Sequence, residues 1–386
     1  MTYQLINASV LDGLNEIEEN SLDGCFCDPP YGLRFMQQRW DYQVPSIDEW
    51  KAILRVLKPG APILAFGGTR TYHRLVSNME DAGAELRDCL MWITGQGFPK
   101  SSNLGDGFGS ALKPAYEPVS LARKPFRGTL KANFEEWQTG GLRIDDCRVK
   151  RDADDVSGWS QSGSKASPNL AMSGANYDRA PKPDNGGRWP ANLILSHSVD
   201  CRETGTRKVK TGTAIRHNSG GKNIHSDTRK PSLPDMGYAE DGTETIAQWS
   251  CAPDCPIGIL NQQAPNCPGS NAPGIHAAGY AGGLFASIDS QAFYGDTGAA
   301  SRFFYCAKVS KKERGEGNTH PTLKPIALCT YLSRLILSPS PTATLLVPWC
   351  GTGSEMIGAV KAGWSNVIGI EKEAEYIEMA KSRLER

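Results

Sequence analysis

No stretch of this chain approaches the roughly 20 consecutive apolar residues a membrane-spanning helix needs, so no spanning segment is expected. The opening residues, MTYQLINASVLDG, hold neither a basic segment nor an apolar run. A secretory signal is therefore not expected, and a cytoplasmic location is. There is no net charge, since 42 Lys and Arg balance 42 Asp and Glu. Bulk charge thus says nothing for or against a polyanionic partner, and only local patches can speak for one. No internal repeat is found, which sets aside solenoids and propellers. A paired-cysteine framework is also missing, because the 11 cysteines are odd in number and scattered. Cys25, Cys27, Cys89 and Cys306 sit in apolar runs and read as ordinary buried thiols.

What is present suits a globular protein of one large domain or two ordinary ones, at 386 residues with 39% hydrophobic and 22% charged. The charge is segregated. Eight Lys or Arg against two acids lie between Arg202 and Lys230, and four against one between Lys308 and Arg314. A solvated loop surface would look the same, but such patches are also what a phosphate backbone responds to. Two further pairs stand out, His197-x-x-x-Cys201 and Cys251-x-x-x-Cys255. A three-residue gap lets both members of a pair reach one tetrahedral ion, and three thiolates with one imidazole suit structural zinc. A loop-rich region with little core would gain from such a staple. The spare thiol at Cys267 and the frequency of buried cysteines weigh against it.

The first 95 residues alternate between strand and helix patterns. Residues 2–6 form a short strand, and an apolar strand runs into Asp28-Pro29-Pro30-Tyr31. Ile47, Trp50, Ile53, Leu54 and Leu57 have helical spacing and are closed by Lys58-Pro59-Gly60. A buried strand over 61–66, a helix over 71–82 and a strand over 85–94 follow. From Gly95 to about Ser301, Gly, Ser, Asn and Pro punctuate heavily. Asn192-Leu193-Ile194-Leu195 is the clearest strand there, and Trp137, Trp159, Trp189 and Trp249 supply something to bury. Alternation then resumes with a strand at 302–308, a helix at 325–337 and a strand at 344–347. A helix at 354–362, a strand at 367–371 and a helix at 373–386 complete it. The pattern predicts an α/β fold with one mainly parallel sheet of about seven strands, built from both ends of the chain.

Two motifs carry chemistry. Asp28, closing an apolar strand, offers a carboxylate beside the backbone carbonyl of Pro29. Together they can accept both hydrogens of an amine, turning its lone pair toward an electrophile. Two prolines hold those acceptors still, and Tyr31 offers a flat face for a ring. Pro348-Trp349-Cys350-Gly351-Thr352-Gly353-Ser354 is a strand, a glycine turn and a helix start. Glycine admits a ligand close to the backbone, and the helix N-terminus offers free N–H donors. Glu371 ends the next strand, where an acid can accept from ribose hydroxyls.

With His320-Pro321-Thr322-Leu323-Lys324-Pro325 directly upstream of the glycine turn, the order of motifs resembles the circularly permuted beta class of DNA amino-methyltransferases. The resemblance covers residues 1–125 and 300–386. It implies a Rossmann-like S-adenosylmethionine-dependent methyltransferase sheet, with residues 126–299 as a loop-rich inserted target-recognition region. It implies direct methyl transfer to adenine N6 of a base flipped out of double-stranded DNA. Asp28, Pro29, Pro30 and Tyr31 would be catalytic. Cofactor contacts would come from Cys27, Asp28, Thr322, Lys324, Pro325, Pro348, Trp349, Cys350, Gly351, Gly353, Ser354, Glu371 and Lys372. Thr322 and Lys324 are expected at the cofactor's carboxylate end. Gly187–Asn192 and Ser301–Tyr305 resemble phage and prophage relatives, and a role in restriction-modification, as monomer or homodimer, would fit. The chain departs from the class pattern Asp-Pro-Phe-x-Gly-Ser-Gly at Val347 and Trp349, and has Ser9 where an acid is common. Val347 and Ser9 each remove a polar contact expected near the cofactor. Cytosine N4 methylation, for which Ser-Pro-Pro-Tyr is commoner, and an impaired DNA-binding relative are the alternatives. Protein glutamine methyltransferases carry the glycine motif before the Pro-Pro-Tyr motif, the reverse of this order.

Overall fold

The computed structural model describes residues 2–33, 41–94, 101–149, 188–198, 200–210, 213–214, 236–237, 243–265, 299–308 and 323–386. The chain begins β1 (Thr2–Asn7), α1 (Val10–Leu14), β2 (Gly24–Cys27), α2 (Ile47–Val56), β3 (Pro62–Phe66), α3 (Tyr72–Asp81) and β4 (Glu85–Ile93). The small pair β5 (Asn103–Gly105) and β6 (Phe108–Gly109) leads to β7 (Tyr116–Arg123) and α4 (Leu130–Trp137). Next come β8 (Leu193–His197), β9 (Arg202–Lys210), β10 (Thr213–Ala214), β11 (Met236–Gly237), β12 (Thr243–Ser250) and α5 (Pro256–Gln263). The end of the chain supplies β13 (Tyr305–Lys308), α6 (Ile326–Leu335), β14 (Thr344–Pro348), α7 (Ser354–Ala362), β15 (Asn366–Glu371) and α8 (Ala374–Leu384).

Among the described residues, nine strands form the main sheet, in the order β1-β15-β14-β2-β3-β7-β4-β8-β13. Every pairing is parallel except the two made by β7, which runs against both β3 and β4. The sheet is larger than the expected seven strands: β7, which the sequence pattern does not mark, enters it between β3 and β4, and β8 and β13 extend its edge beyond β4. β8 lies within residues 126–299, so part of that stretch is built into the sheet. Arg302 and Phe303, expected in a strand, instead form a 3-10 turn before β13.

Side chains alternate across the sheet and bury on both sides, as parallel strands require. Phe26, Leu64 and Phe66 point into a core shared with α6 and α7, where Leu328, Leu332 and Met356 meet them. Cys25, Cys27, Ile63 and Ala65 point the other way, against Trp50 and Ile53 of α2 and Leu75 and Met79 of α3. α2 starts with a capping box, Ser46 accepting from Glu49 N while Glu49 accepts from Ser46 N. The two ends of the chain are joined by the buried Asp23, which accepts from Lys58 Nζ at 2.7 Å and from Thr344 N at 2.8 Å. Not every tryptophan finds a core. Trp249 packs in a small satellite cluster, while Trp189 is 64% exposed, with Arg148 5.2 Å above its ring.

Helices α6 and α7 touch through Gly358, where an added Cβ would stand 2.5 Å from Cys329 Cβ and 2.6 Å from the Cys329 carbonyl carbon. Backbone on one side leaves nothing to rotate away. Gly358→Ala is therefore expected to destabilise the fold by about 1–3 kcal/mol, read as a lower midpoint in thermal unfolding. A variant melting with the wild type would mean that α6 can shift away freely.

Candidate active site

β1, β2, β14 and β15 are parallel, so their C-terminal ends open on one edge of the sheet, where open α/β folds place ligands. Asp28 follows β2, the glycine turn follows β14, and Glu371 is the last residue of β15. They line one cleft of about 510 Å³, a size suited to a small-molecule ligand.

The Asp28 end is a charge cluster under a rigid loop. The carboxylate of Asp41, 2% exposed, accepts from three successive backbone amides, those of Tyr31 (2.7 Å), Gly32 (2.9 Å) and Leu33 (3.2 Å). Thr71 Oγ1 donates to the Tyr31 carbonyl. The loop after the prolines is thus held from both sides. The Tyr31 hydroxyl stands 2.8 Å from both Asp28 Oδ1 and Glu117 Oε2, and its one proton serves one carboxylate at a time. Burial, then the two acids, push its pKa well above the usual phenol value, so it stays protonated. Lys324 Nζ completes the cluster, 2.7 Å from Asp28 Oδ2 and 3.3 Å from Glu117 Oε2. It also lies 4.7 Å from the centre of the Phe66 ring. Burial opposes its charge, but Asp28 and Glu117 outweigh that and hold its pKa above the ordinary lysine value.

At the other end, Trp349 and Gly351 take left-handed backbone conformations, with φ of 55° and 49°. For the tryptophan this costs about 1–2 kcal/mol, and its ring is braced edge-on against Trp50 at 5.7 Å. Glu371 accepts from Gly351 N at 3.0 Å and from Glu373 N at 2.9 Å. It is 9% exposed, and burial raises its pKa above the usual carboxylate value. Between the two ends lies Glu355, in the first turn of α7. Burial first, and the nearby Asp28 charge second, push its pKa up to about 7.

Of the residues expected at a cofactor, Asp28, Lys324, Trp349, Cys350, Gly351, Ser354, Glu371 and Lys372 line the cleft, as do Pro29, Pro30 and Tyr31. Cys27 does not. It is fully buried on the α2–α3 side, its thiol 3.7 Å from the Leu64 carbonyl oxygen. Pro325 caps α6, Pro348 ends β14, and Gly353 closes against Ala380; none of the three lines the cleft. Thr322 lies outside the described residues. Lys324, expected at a cofactor's carboxylate end, pairs with Asp28 and Glu117. Two departures from the class pattern also find their places. Val347 is fully buried in the core and is not among the residues that line the cleft. Ser9 does line it, but its hydroxyl is engaged with Asp12 as the cap of α1. Glu117, Asp41 and Glu355 are absent from the sequence-level candidates. No local spacing ties Glu117 or Asp41 to Asp28, and an acid in a helix's first turn, as at Glu355, is ordinary. Away from the cleft, His197, Cys201, Cys251 and Cys255 come together in one cluster.

A family described as DNA methylase matches residues 22–382 of the chain. Among solved structures, the chain is similar to M1.HpyAVI at 11% identity and a TM-score of 0.42, with all of both chains covered. It is similar to the complex of M1.HpyAVI with SAM at 11% identity and a TM-score of 0.38, again over both whole chains. It is also similar to the PvuII DNA methyltransferase, described as cytosine-N4-specific, at 12% identity and a TM-score of 0.42, covering 99% of this chain and 86% of that one.

Proposed function

This chain belongs to the DNA methylase family, and on that premise we propose that it methylates adenine N6 in double-stranded DNA, with S-adenosylmethionine as donor and the target base turned out of the duplex. One observation carries the reading. An amine acceptor, Asp28 with the Pro29 carbonyl, shares a single cleft with a ribose-type acceptor, Glu371. The donor fits that cleft chemically. Each Glu371 oxygen accepts one amide and retains a lone pair for a hydroxyl. Trp349, Ile370 and Pro29 offer apolar walls to an adenine ring, and seven acidic side chains against Lys324 and Lys372 suit a cationic ligand. S-adenosylmethionine supplies a methyl group made electrophilic by its sulfonium.

An exocyclic amine is a weak nucleophile because its lone pair is delocalised into the ring. Asp28 and the Pro29 carbonyl accept its two hydrogens, leaving the lone pair to face the methyl. As the N–C bond forms, positive charge grows on that nitrogen, and the Asp28 carboxylate stabilises it before the extra proton leaves. Lys324 and the Tyr31 hydroxyl, each bonded to one Asp28 oxygen, keep its carboxylate aimed. Because its hydroxyl is tied to acids on two strands' ends, Tyr31 holds its ring in a fixed plane, ready for a flipped base. We assign base reading to residues 126–299. There β9 and β12 form a two-stranded arm, and β9 carries Arg202, Arg207, Lys208 and Lys210 beside Glu203.

Adenine is favoured over cytosine because the motif begins with Asp28, which the class associates with N6 chemistry. Nucleoside mass spectrometry on DNA incubated with the protein and S-adenosylmethionine tests it. N6-methyladenine is the expected product. N4-methylcytosine would keep the mechanism and overturn the base, and no methylated base at all would remove the assignment.

A further inference from the structure

We propose that His197, Cys201, Cys251 and Cys255 bind one Zn²⁺ in a closed tetrahedral site that rivets the base of the β9–β12 arm to the edge of the main sheet. The ligand atoms of all four lie within 4.8 Å of one another. Cys251 Sγ and Cys255 Sγ stand 3.5 and 3.6 Å from His197 Nδ1. A tetrahedral ion with Zn–S of about 2.3 Å and Zn–N of about 2.0–2.1 Å requires a sulfur-to-nitrogen separation of about 3.6 Å. The side chains are therefore already spaced as ligands of one ion. Backbone amides point at two of the sulfurs, Ala252 N at Cys201 Sγ (3.3 Å) and Gly258 N at Cys255 Sγ (3.5 Å). Amides directed at sulfur suit a metal-bound thiolate better than a neutral thiol. With four protein ligands no position stays open for water, which marks the site as structural.

The surroundings explain why an ion is needed. The satellite core here has four fully buried members, Leu195, Cys201, Cys255 and Ile257, and two of them are the cysteines themselves. Such a core buries too little apolar surface to hold a long arm in place. The ligands stand at the joints. His197 ends β8, which pairs with β4 and β13 in the main sheet. Cys201 directly precedes β9 and Cys251 directly follows β12, so both feet of the arm are clamped. Cys255 caps α5. Trp249 stacks on the His197 ring at 3.9 Å and covers it. Gly258 lets α5 approach, since a Cβ there would lie 2.8 Å from Cys251 Cβ.

Metal analysis of the full chain, purified without added zinc, is expected to return about one Zn²⁺ per chain. After exchange for Co²⁺, the protein should show the visible bands and thiolate charge-transfer absorption of a tetrahedral sulfur-rich site. Cys255→Ser is expected to lower zinc content by about tenfold or more. Cys306→Ser, a neighbouring thiol outside the quartet, should leave it unchanged. Full zinc in Cys255→Ser, or wild-type protein that holds no zinc and gives no tetrahedral Co²⁺ spectrum, overturns the proposal. Should Cys255→Ser fail to fold, the wild-type Co²⁺ spectrum decides alone.

Discussion

Asp28→Ala should cut turnover by about 10³-fold while leaving S-adenosylmethionine affinity close to that of the wild-type protein. The separation follows from geometry. Glu371 and the glycine turn hold each other through the Gly351 amide, and Asp28 takes no part in that contact. What the variant loses is the charged acceptor that orients the amine and meets the charge developing on it. A second loss accompanies it, because among the described residues the buried ammonium of Lys324 is left with Glu117, at 3.3 Å, as its ion-pair partner. Some fall in thermal stability is therefore expected too. Asp28→Asn separates the effects. It preserves shape and one acceptor oxygen but presents an NH₂ group toward Lys324 or the substrate, so its turnover should also be low while its fold suffers less. Single-turnover rates alongside calorimetric titration of the cofactor provide the measurement. Turnover within tenfold of wild type in Asp28→Ala would show that another group accepts the amine.

Why one half of this site was legible in the sequence and the other was not is a matter of range. The motif residues could be read because local chain chemistry makes them. Prolines fix the Asp28 loop, and glycine between β14 and α7 allows left-handed turns. An acid ending β15 needs only a strand boundary. The regular elements were readable for the same reason, since α2 and α7 have helical spacing and clear punctuation. β7 escaped because it opens on Tyr116-Glu117-Pro118 after a glycine-rich stretch, so its buried run from Pro118 to Ala122 is short. With it went Glu117, which reaches the site only because β7 runs antiparallel between β3 and β4. The attachment of β8 and β13 to the sheet edge is likewise a pairing choice that composition does not encode. Lys324 and Asp28 are each legible as site residues, yet their pairing is not, because ion pairs across the whole chain depend on the closed sheet.

That pairing makes Lys324→Met the most informative change after Asp28. Lys324 is 6% exposed, and removing one partner from a buried pair typically costs about 3–5 kcal/mol. The consequence for pH is specific. In the wild type the Lys324 pKa is raised, so its contribution to stability is fully present below the unfolded lysine value and is lost only as pH rises through the folded one. Across the neutral range it is constant. Without the ammonium the Glu355 carboxyl loses a compensating charge, and its pKa, already raised by burial and by Asp28, rises further. A raised carboxylate favours the fold while protonated and disfavours it once pH climbs through its folded pKa, and Glu355 already sits at about 7. The gap in melting temperature between variant and wild type should therefore widen from pH 5 to pH 8. Turnover should fall as well, because Asp28 loses the buried donor that aims it at the amine. A melting gap that stays constant from pH 5 to pH 8, with wild-type turnover, would mean that Lys324 neither compensates Glu355 nor aims Asp28.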